Sequence, residues 1–188
     1  MDFDKIVTTN SMKIGYVLGS KKVLYIKCGQ GGSMYGYQNK YLNIARHINE
    51  KYGYSVFVSE IKSDDREAYE QEMEIIESLL GDGCEIYSLG VSRGGLLIIW
   101  HGQYNPLVKK MATVNAPLMI NFHNRTRPAI RSISGDKLTM IYGTEDPSYK
   151  FVPFVESIVR VRIVEGANHH LVGGGVSLLE IVEELLET

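Results

Sequence analysis

The spacing of apolar residues follows two patterns, one typical of strands and one typical of helices, and these patterns alternate along the chain. Short runs of β-branched, aromatic and leucine residues are typical of strands, and apolar residues that recur every three or four positions are typical of amphipathic helices. The predicted strands cover residues 3–9, 12–18, 23–28, 54–58, 86–89, 108–114, 138–142 and 159–164. The predicted helices cover residues 37–51, 65–80, the apolar run after residue 92, residues 150–157 and residues 176–186.

The order of these elements predicts the fold class. Asn10-Ser11 joins the first two strands, which favours an antiparallel hairpin. After the hairpin, strands alternate with helices, and this order is typical of an α/β protein with a mainly parallel sheet covered on both faces. Residues 118–136 are polar and irregular, with room for one short helix. Because the chain contains no linker, repeat or low-complexity tract, we expect residues 1–188 to form a single domain.

Composition and charge narrow the classes of partner. The formal net charge of −2 argues against nucleic acid, since phosphate binding relies on a basic surface. No apolar run approaches the roughly 20 residues that span a bilayer, and the acidic N-terminus lacks the apolar region of a signal peptide. We therefore expect a cytoplasmic protein that acts on a small molecule. Cys28 and Cys84 are predicted at opposite ends of parallel strands, so no disulfide is expected.

One pentapeptide carries most of the chemical information. Residues 90–94 read Gly-Val-Ser-Arg-Gly and lie between a predicted buried strand and an apolar helix. This is the context of a nucleophile elbow, in which a serine is presented on a sharp strand-to-helix turn. The turn brings the two backbones so close that a Cβ at either glycine is expected to clash. A serine hydroxyl also needs a base, a group that orients the base, and donors for the oxyanion.

Polar groups that could meet these needs follow three other predicted strands. They are the stretches 29–33 (Gly-Gln-Gly-Gly-Ser), 143–147 (Gly-Thr-Glu-Asp-Pro) and 166–170 (Gly-Ala-Asn-His-His). In an open parallel sheet, functional groups gather at the carboxyl ends of the strands. The chain order is then serine, acid and histidine, which is the order described for α/β-hydrolases and differs from that of chymotrypsin or subtilisin.

With these motifs in the correct order, the chain resembles the α/β-hydrolase superfamily from about residue 22 to its end. The resemblance implies Ser92 as nucleophile, His169 as general base and Asp146 as the residue that orients the base. It also implies an oxyanion hole made by the backbone N–H groups of Arg93 and Gln30. No cofactor and no metal is implied by this chemistry.

Some assignments stay open at this stage. Glu145 competes with Asp146 for the role of the acid, and His170 competes with His169 for the role of the base. The chain departs from many relatives in having Cys28-Gly29 where they have His-Gly at the start of the oxyanion loop. The interval between serine and acid is short, so we expect no sizeable cap domain and an open site.

Further residues are expected near the site. Tyr35 and Tyr37 follow the oxyanion loop and Asn115 ends the strand beside the serine, so these three are candidates for lining the substrate pocket. We expect the side chain of Arg93 to be solvated, and Asp64-Asp65 to cap the following helix.

The function favoured by the sequence is that of a serine hydrolase. It would cleave a small ester or thioester through an acyl-enzyme intermediate. The same set of residues serves peptide and amide hydrolysis, which is the first alternative. The second alternative is a binding protein that keeps the fold without catalysis, because a fold alone does not define a function.

Overall fold

The computed structural model describes residues 2–187 and contains one eight-stranded sheet. Its strands are β1 (Lys5–Thr8), β2 (Lys13–Val17), β3 (Ser20–Lys27), β4 (Tyr54–Glu60), β5 (Glu85–Val91), β6 (Val108–Val114), β7 (Leu138–Gly143) and β8 (Arg160–Val164). The α-helices of this part of the chain are α1 (Lys40–Tyr52), α2 (Arg66–Leu80), α3 (Arg93–His101), α4 (Arg127–Ser132) and α5 (Leu178–Glu187).

The sheet is mainly parallel, as the element order predicts. The strand order is β1-β2-β4-β3-β5-β6-β7-β8. β1 and β2 form the antiparallel hairpin, and β2 is also antiparallel to β4, whereas every pairing from β4 through β8 is parallel. The carboxyl ends of β3, β5, β6, β7 and β8 therefore meet along one edge of the sheet.

Helices bury both faces of the central strands. In β3, Val23 and Tyr25 pack with α2 and α3, whereas Leu24 and Ile26 pack with α1 and α5. All four of these side chains are fully buried. A strand buried on both faces has a continuous apolar run, which explains why β3 is recognisable from sequence. None of the helices in residues 2–187 is long and apolar enough to cross a membrane.

The irregular segments differ in detail from the predictions. The predicted helix at 150–157 is a 3₁₀ helix at Tyr149–Phe154, because Pro153 lies inside it and cannot donate to an α-helical ladder. Residues 122–126 form a π-helical turn before α4. Asp65 occupies the N-cap of α2 but makes no side-chain cap, since its carboxylate accepts a hydrogen bond from Ser63 at 2.7 Å. Cys28 and Cys84 are both buried and free.

A buried ion pair interrupts the apolar core at the end of β3. The Nζ atom of Lys27 lies 2.6 Å from Oε1 of Glu72 on α2, and both side chains are almost fully buried. Ser59 donates to the same carboxylate oxygen at 2.6 Å, and the hydroxyl of Tyr25 donates to the other oxygen. These bonds compensate the desolvation of the two charges, which is the condition under which a buried ion pair is tolerated.

Removing one charge of this pair should destabilise the protein strongly. We expect Glu72→Leu to lower the free energy of unfolding by about 3–5 kcal/mol, because the ammonium of Lys27 is left buried and uncompensated. The double variant Lys27→Met/Glu72→Leu should recover most of the loss. Urea denaturation measures both values.

The neighbouring exposed pair on the same helix provides the control. Arg66 and Glu70 are 2.6 Å apart and largely exposed, so Glu70→Gln should cost less than about 1 kcal/mol. A loss for Glu72→Leu as small as that of Glu70→Gln would show that the buried pair does not hold α2 against β3.

Candidate active site

Ser92 adopts a backbone conformation that is rare for a residue with a side chain. It connects β5 to α3 with a φ of 52° and a ψ of −124°. Such a conformation persists only where the surrounding structure enforces it, and it is concentrated at functional sites. The N–H of Ser92 donates to the carbonyl of Val114 on β6 at 2.8 Å, and its own carbonyl accepts from Gly95 at 2.9 Å. The sharp turn predicted for residues 90–94 is thus present.

The two glycines of the motif have the steric role expected from the sequence. A Cβ on Gly90 would lie 2.5 Å from the Cα of Gly95. A Cβ on Gly94 would overlap with the carbonyl oxygens of Lys27 and Cys28 at the end of β3. The first turn of α3 is therefore in backbone contact with β3, and any larger residue at position 94 must separate the two elements.

Ser92, His169 and Asp146 form one hydrogen-bonded chain. Nε2 of His169 lies 3.0 Å from Oγ of Ser92, and Nδ1 of the same ring is hydrogen-bonded to Oδ2 of Asp146. The other oxygen of Asp146 accepts the N–H of Ser148 at 2.7 Å, and the Asp146 side chain is fully buried. This geometry can move a proton from the serine hydroxyl to the imidazole while the carboxylate fixes the ring.

Glu145 and His170 are not part of this hydrogen-bonded chain. Glu145 is exposed, and its backbone N–H bonds to the carbonyl of Ala167 at 3.0 Å. His170 is also exposed, with its ring 5.5 Å from the ring of His169. The structure therefore brings Asp146 and His169 to Ser92, and it does not bring Glu145 there.

Asn115 has a different place from the one expected. It is fully buried and does not line the substrate cavity, which corrects the expectation drawn from its position after β6. Its Oδ1 accepts the N–H of Gly143 at 2.9 Å, and its Nδ2 donates to the carbonyls of Asn168 at 3.2 Å and His169 at 2.9 Å. Both ends of the amide are used by backbone, so Asn115 ties the loop of the acid to the loop of the histidine.

The loop after β3 lies against the serine, as an oxyanion loop must. A Cβ on Gly29 would lie 3.3 Å from the Cβ of Ser92, and the N–H of Gly32 closes a turn on the Gly29 carbonyl at 3.0 Å. Gln30 is exposed and lines the cavity beside Ser92. Arg93 is the first residue of α3, directly after the serine. The donor roles of these two N–H groups remain predictions.

The side chain of Arg93 is paired rather than solvated. Its guanidinium is hydrogen-bonded to the carboxylate of Asp64, in the loop between β4 and α2, and lies 5.1 Å from the centroid of the Trp100 ring. Asp64 thus serves as an ion-pair partner and not as a helix cap. The sequence could not show this pairing because Arg93 begins α3 and Asp64 lies in a loop 29 residues earlier in the chain.

Cys28 is buried at the base of the oxyanion loop. Burial raises the pKa of its thiol to about 12, so the thiol stays neutral at physiological pH. Its Sγ contacts the carbonyl of Ser33 at 3.6 Å. Cys28 therefore supports the loop, and a neutral buried thiol is not a nucleophile.

A cavity of about 560 Å³ opens in front of Ser92. Its lining residues are Gly29, Gln30, Gly32, Ser33, Gly36, Tyr37, Lys40, Tyr41, Val91, Ser92, Val114, His169, His170, Leu171, Val176, Ser177 and Leu178. Tyr35 is not among them, because its hydroxyl donates to Asp2 at 2.9 Å and its ring packs on Phe3. Sequence reasoning missed Lys40, Tyr41 and residues 176–178, whose only signal was proximity to the predicted loops.

Comparison with solved structures identifies the fold as that of the α/β hydrolases. An esterase domain from Rhodothermus marinus matches 97% of the chain over 95% of its own length, with a TM-score of 0.69 and 13% identity. A serine hydrolase without a lid from Xanthomonas campestris matches 97% over 92% of its length, with a TM-score of 0.68 and 14% identity. A serine hydrolase homologue from Coxiella burnetii matches 100% of the chain over 98% of its own length, with a TM-score of 0.69 and 16% identity.

Sequence comparisons add nothing to this structural likeness. No protein-family model matches the chain, and no curated protein matches it significantly. At these low identities the likeness to solved structures shows the fold alone. Function must therefore be argued from the site itself.

The close approach at Gly94 can be tested by substitution. We expect Gly94→Ala to lower the free energy of unfolding by at least about 3 kcal/mol, because its Cβ meets two carbonyl oxygens that belong to rigid backbone. Gly135→Ala is the matched control, since the nearest atom to its Cβ is 3.8 Å away. Urea denaturation of both variants provides the comparison, and equal stability of the two would contradict the steric argument.

Proposed function

We propose that the protein is a serine hydrolase that cleaves small esters or thioesters through an acyl-enzyme. The observation that carries this proposal is the hydrogen-bonded chain of Ser92, His169 and Asp146 at the wall of a cavity. Solved neighbours described as serine hydrolases and as an esterase domain support the same class of activity.

In the proposed first step, Ser92 Oγ attacks the acyl carbon while His169 Nε2 accepts the hydroxyl proton. Asp146 holds the opposite ring nitrogen and stabilises the imidazolium that forms. The negative charge on the former carbonyl oxygen is stabilised by the backbone N–H groups of Arg93 and Gln30. His169 then donates its proton to the leaving group, and the bond between the acyl carbon and the leaving atom breaks.

In the second step, water replaces the serine as nucleophile. His169 takes a proton from the water as it attacks the acyl-enzyme, and then returns it to Ser92 Oγ as the acid product leaves. The substrate is proposed to be small because the cavity in front of Ser92 has a volume of about 560 Å³.

A fluorophosphonate probe tests the nucleophile directly. We expect the probe to label the wild-type protein and not Ser92→Ala, because only a serine activated by its base reacts at a useful rate. Ser88→Ala is the matched control, since Ser88 lies on β5, the strand that leads to Ser92, but is fully buried and is not among the residues that line the cavity. Labelling of Ser92→Ala at the wild-type level would reject Ser92 as nucleophile.

The hydrolysis of p-nitrophenyl butyrate tests the base. We expect His169→Ala to lower kcat by roughly 10³-fold or more, because the serine loses its proton acceptor. His170→Ala should lower it by less than tenfold, since that ring does not contact Ser92. A larger effect of His170→Ala than of His169→Ala would exchange the two assignments.

The same acyl group presented as an ester, a thioester and an anilide separates the substrate classes. We expect Ser92-dependent turnover of the first two at rates well above that of the anilide. Faster cleavage of the anilide would instead identify an amide hydrolase of the same fold. An absence of both turnover and probe labelling would favour a binding protein.

A further inference from the structure

One wall of the cavity in front of Ser92 carries a positive charge. Lys40 and Tyr41 lie there at the start of α1, and Val176 and Leu178 extend the apolar lining. The charged or titratable side chains of the lining are Lys40, His169, His170, Tyr37 and Tyr41. None of the described residues that line the cavity is an aspartate or a glutamate. The cavity is thus biased towards anions although the chain has a net charge of −2.

Lys40 takes part in none of the ion pairs found in residues 2–187. It is half-buried, and its ammonium lies 4.9 Å from the centroid of the Tyr41 ring. Burial lowers the pKa of Lys40, which means that the surroundings do not fully replace the water lost by the charge. An anion bound beside the ammonium would offset that loss.

Helix stability does not explain the charge at this position. Lys40 is the first residue of α1, and the first turn of the helix contains no acidic residue. A cation at a helix N-terminus meets the positive end of the helix dipole and is disfavoured there. The adjacent N–H groups are already bonded, that of Lys40 to Tyr37 and that of Tyr41 to Tyr35. The feature in need of a partner is therefore the side-chain ammonium.

The other end of the same helix shows the contrast. Lys51 lies 4.8 Å from the centroid of the adjacent Tyr52 ring, much as Lys40 lies near Tyr41. Lys51, however, is paired with Glu183 at 2.7 Å, and this carboxylate raises its pKa. Lys51 is not among the residues that line the cavity and has a carboxylate partner, whereas Lys40 lines the cavity and pairs with no carboxylate of residues 2–187.

We propose that Lys40 binds a carboxylate or phosphate group carried by the ester substrate, so that the preferred substrates are anionic esters. This inference rests on the proposed function, because it places the anion and the scissile bond in the same cavity. The anion would pair with the ammonium in a partly desolvated site, where a charge pair is stronger than on the open surface. The chain that links the anion to the ester would pack on Tyr41, Val176 and Leu178.

Matched substrate pairs test the proposal and locate the anion. The acyl arm compares the mono-p-nitrophenyl ester of adipic acid with p-nitrophenyl hexanoate. The leaving-group arms compare 4-(carboxymethyl)phenyl acetate with 4-ethylphenyl acetate, and 4-acetoxybenzyl phosphate with 4-acetoxybenzyl alcohol. In at least one arm, we expect kcat/KM of the anionic member to exceed that of the neutral member by about tenfold or more, as for a hydrogen bond to a charged group.

Variants of Lys40 should change this preference through KM. Lys40→Met should abolish the preference by lowering kcat/KM of the anionic member about tenfold more than that of the neutral member, and Lys40→Glu should reverse the preference. Lys51→Met is the control, and it should retain the wild-type preference. Added salt should weaken the preference in the wild type and leave Lys40→Met unaffected.

The outcomes separate this inference from the function on which it rests. Ser92-dependent hydrolysis with no anionic preference in any arm, or an equal effect of Lys40→Met on both members, would overturn the role of Lys40 and leave the hydrolase intact. Hydrolysis that survives Ser92→Ala would overturn the proposed function. Calorimetric titration of Ser92→Ala with adipamate and with hexanamide measures anion binding without catalysis, because the two amides differ only in the carboxylate that replaces a terminal methyl group. Where the acyl arm shows the preference, equal affinity for the two amides would also overturn the role of Lys40.

Discussion

The backbone contact between the end of β3 and the first turn of α3 is the constraint on which the site depends. Gly94 allows the carbonyls of Lys27 and Cys28 to approach the helix backbone. Because Lys27 pairs in register with Gly90 on β5, the same contact brings the loop at 29–33 against Ser92. Ser92, the proposed nucleophile, and the proposed oxyanion loop are thus positioned by close contacts between backbone atoms.

The end of β3 is held from both faces of the sheet. On one face, the ammonium of Lys27 is bound by Glu72 and Ser59, in a fully buried polar network. On the other face, Cys28 packs in the apolar core and contacts the carbonyl of Ser33. Alternation of side chains along a strand places these two neighbours on opposite sides. The strand end from which the proposed oxyanion loop starts is therefore fixed by an ionic network and by apolar packing together.

Asp146 and His169 reach Ser92 through loops that are tied to one another. Asn115 bonds to the backbone of both loops, and the N–H of Glu145 bonds to the carbonyl of Ala167. The carboxylate of Asp146 is hydrogen-bonded both to the N–H of Ser148 and to the imidazole of His169. A carboxylate and a ring held in this way need little reorganisation as charge develops, which is the physical basis of electrostatic preorganisation. The cavity they face has a positive wall that no carboxylate of its lining neutralises.

Local patterns in the amino-acid sequence are enough to predict the order of strands and helices along the chain, the turn at residues 90–94, and the positions of Asp146 and His169 after parallel strands. These features depend on local periodicity and on the rule that the carboxyl ends of parallel strands share one edge. Tertiary structure alone decided that Asp146 rather than Glu145 faces the histidine, that Asn115 is buried, and that Lys40 lines the cavity. A sequence pattern does not distinguish adjacent loop residues such as Glu145 and Asp146. The direction of each side chain is set by the conformation of the loop and by contacts with distant segments of the chain.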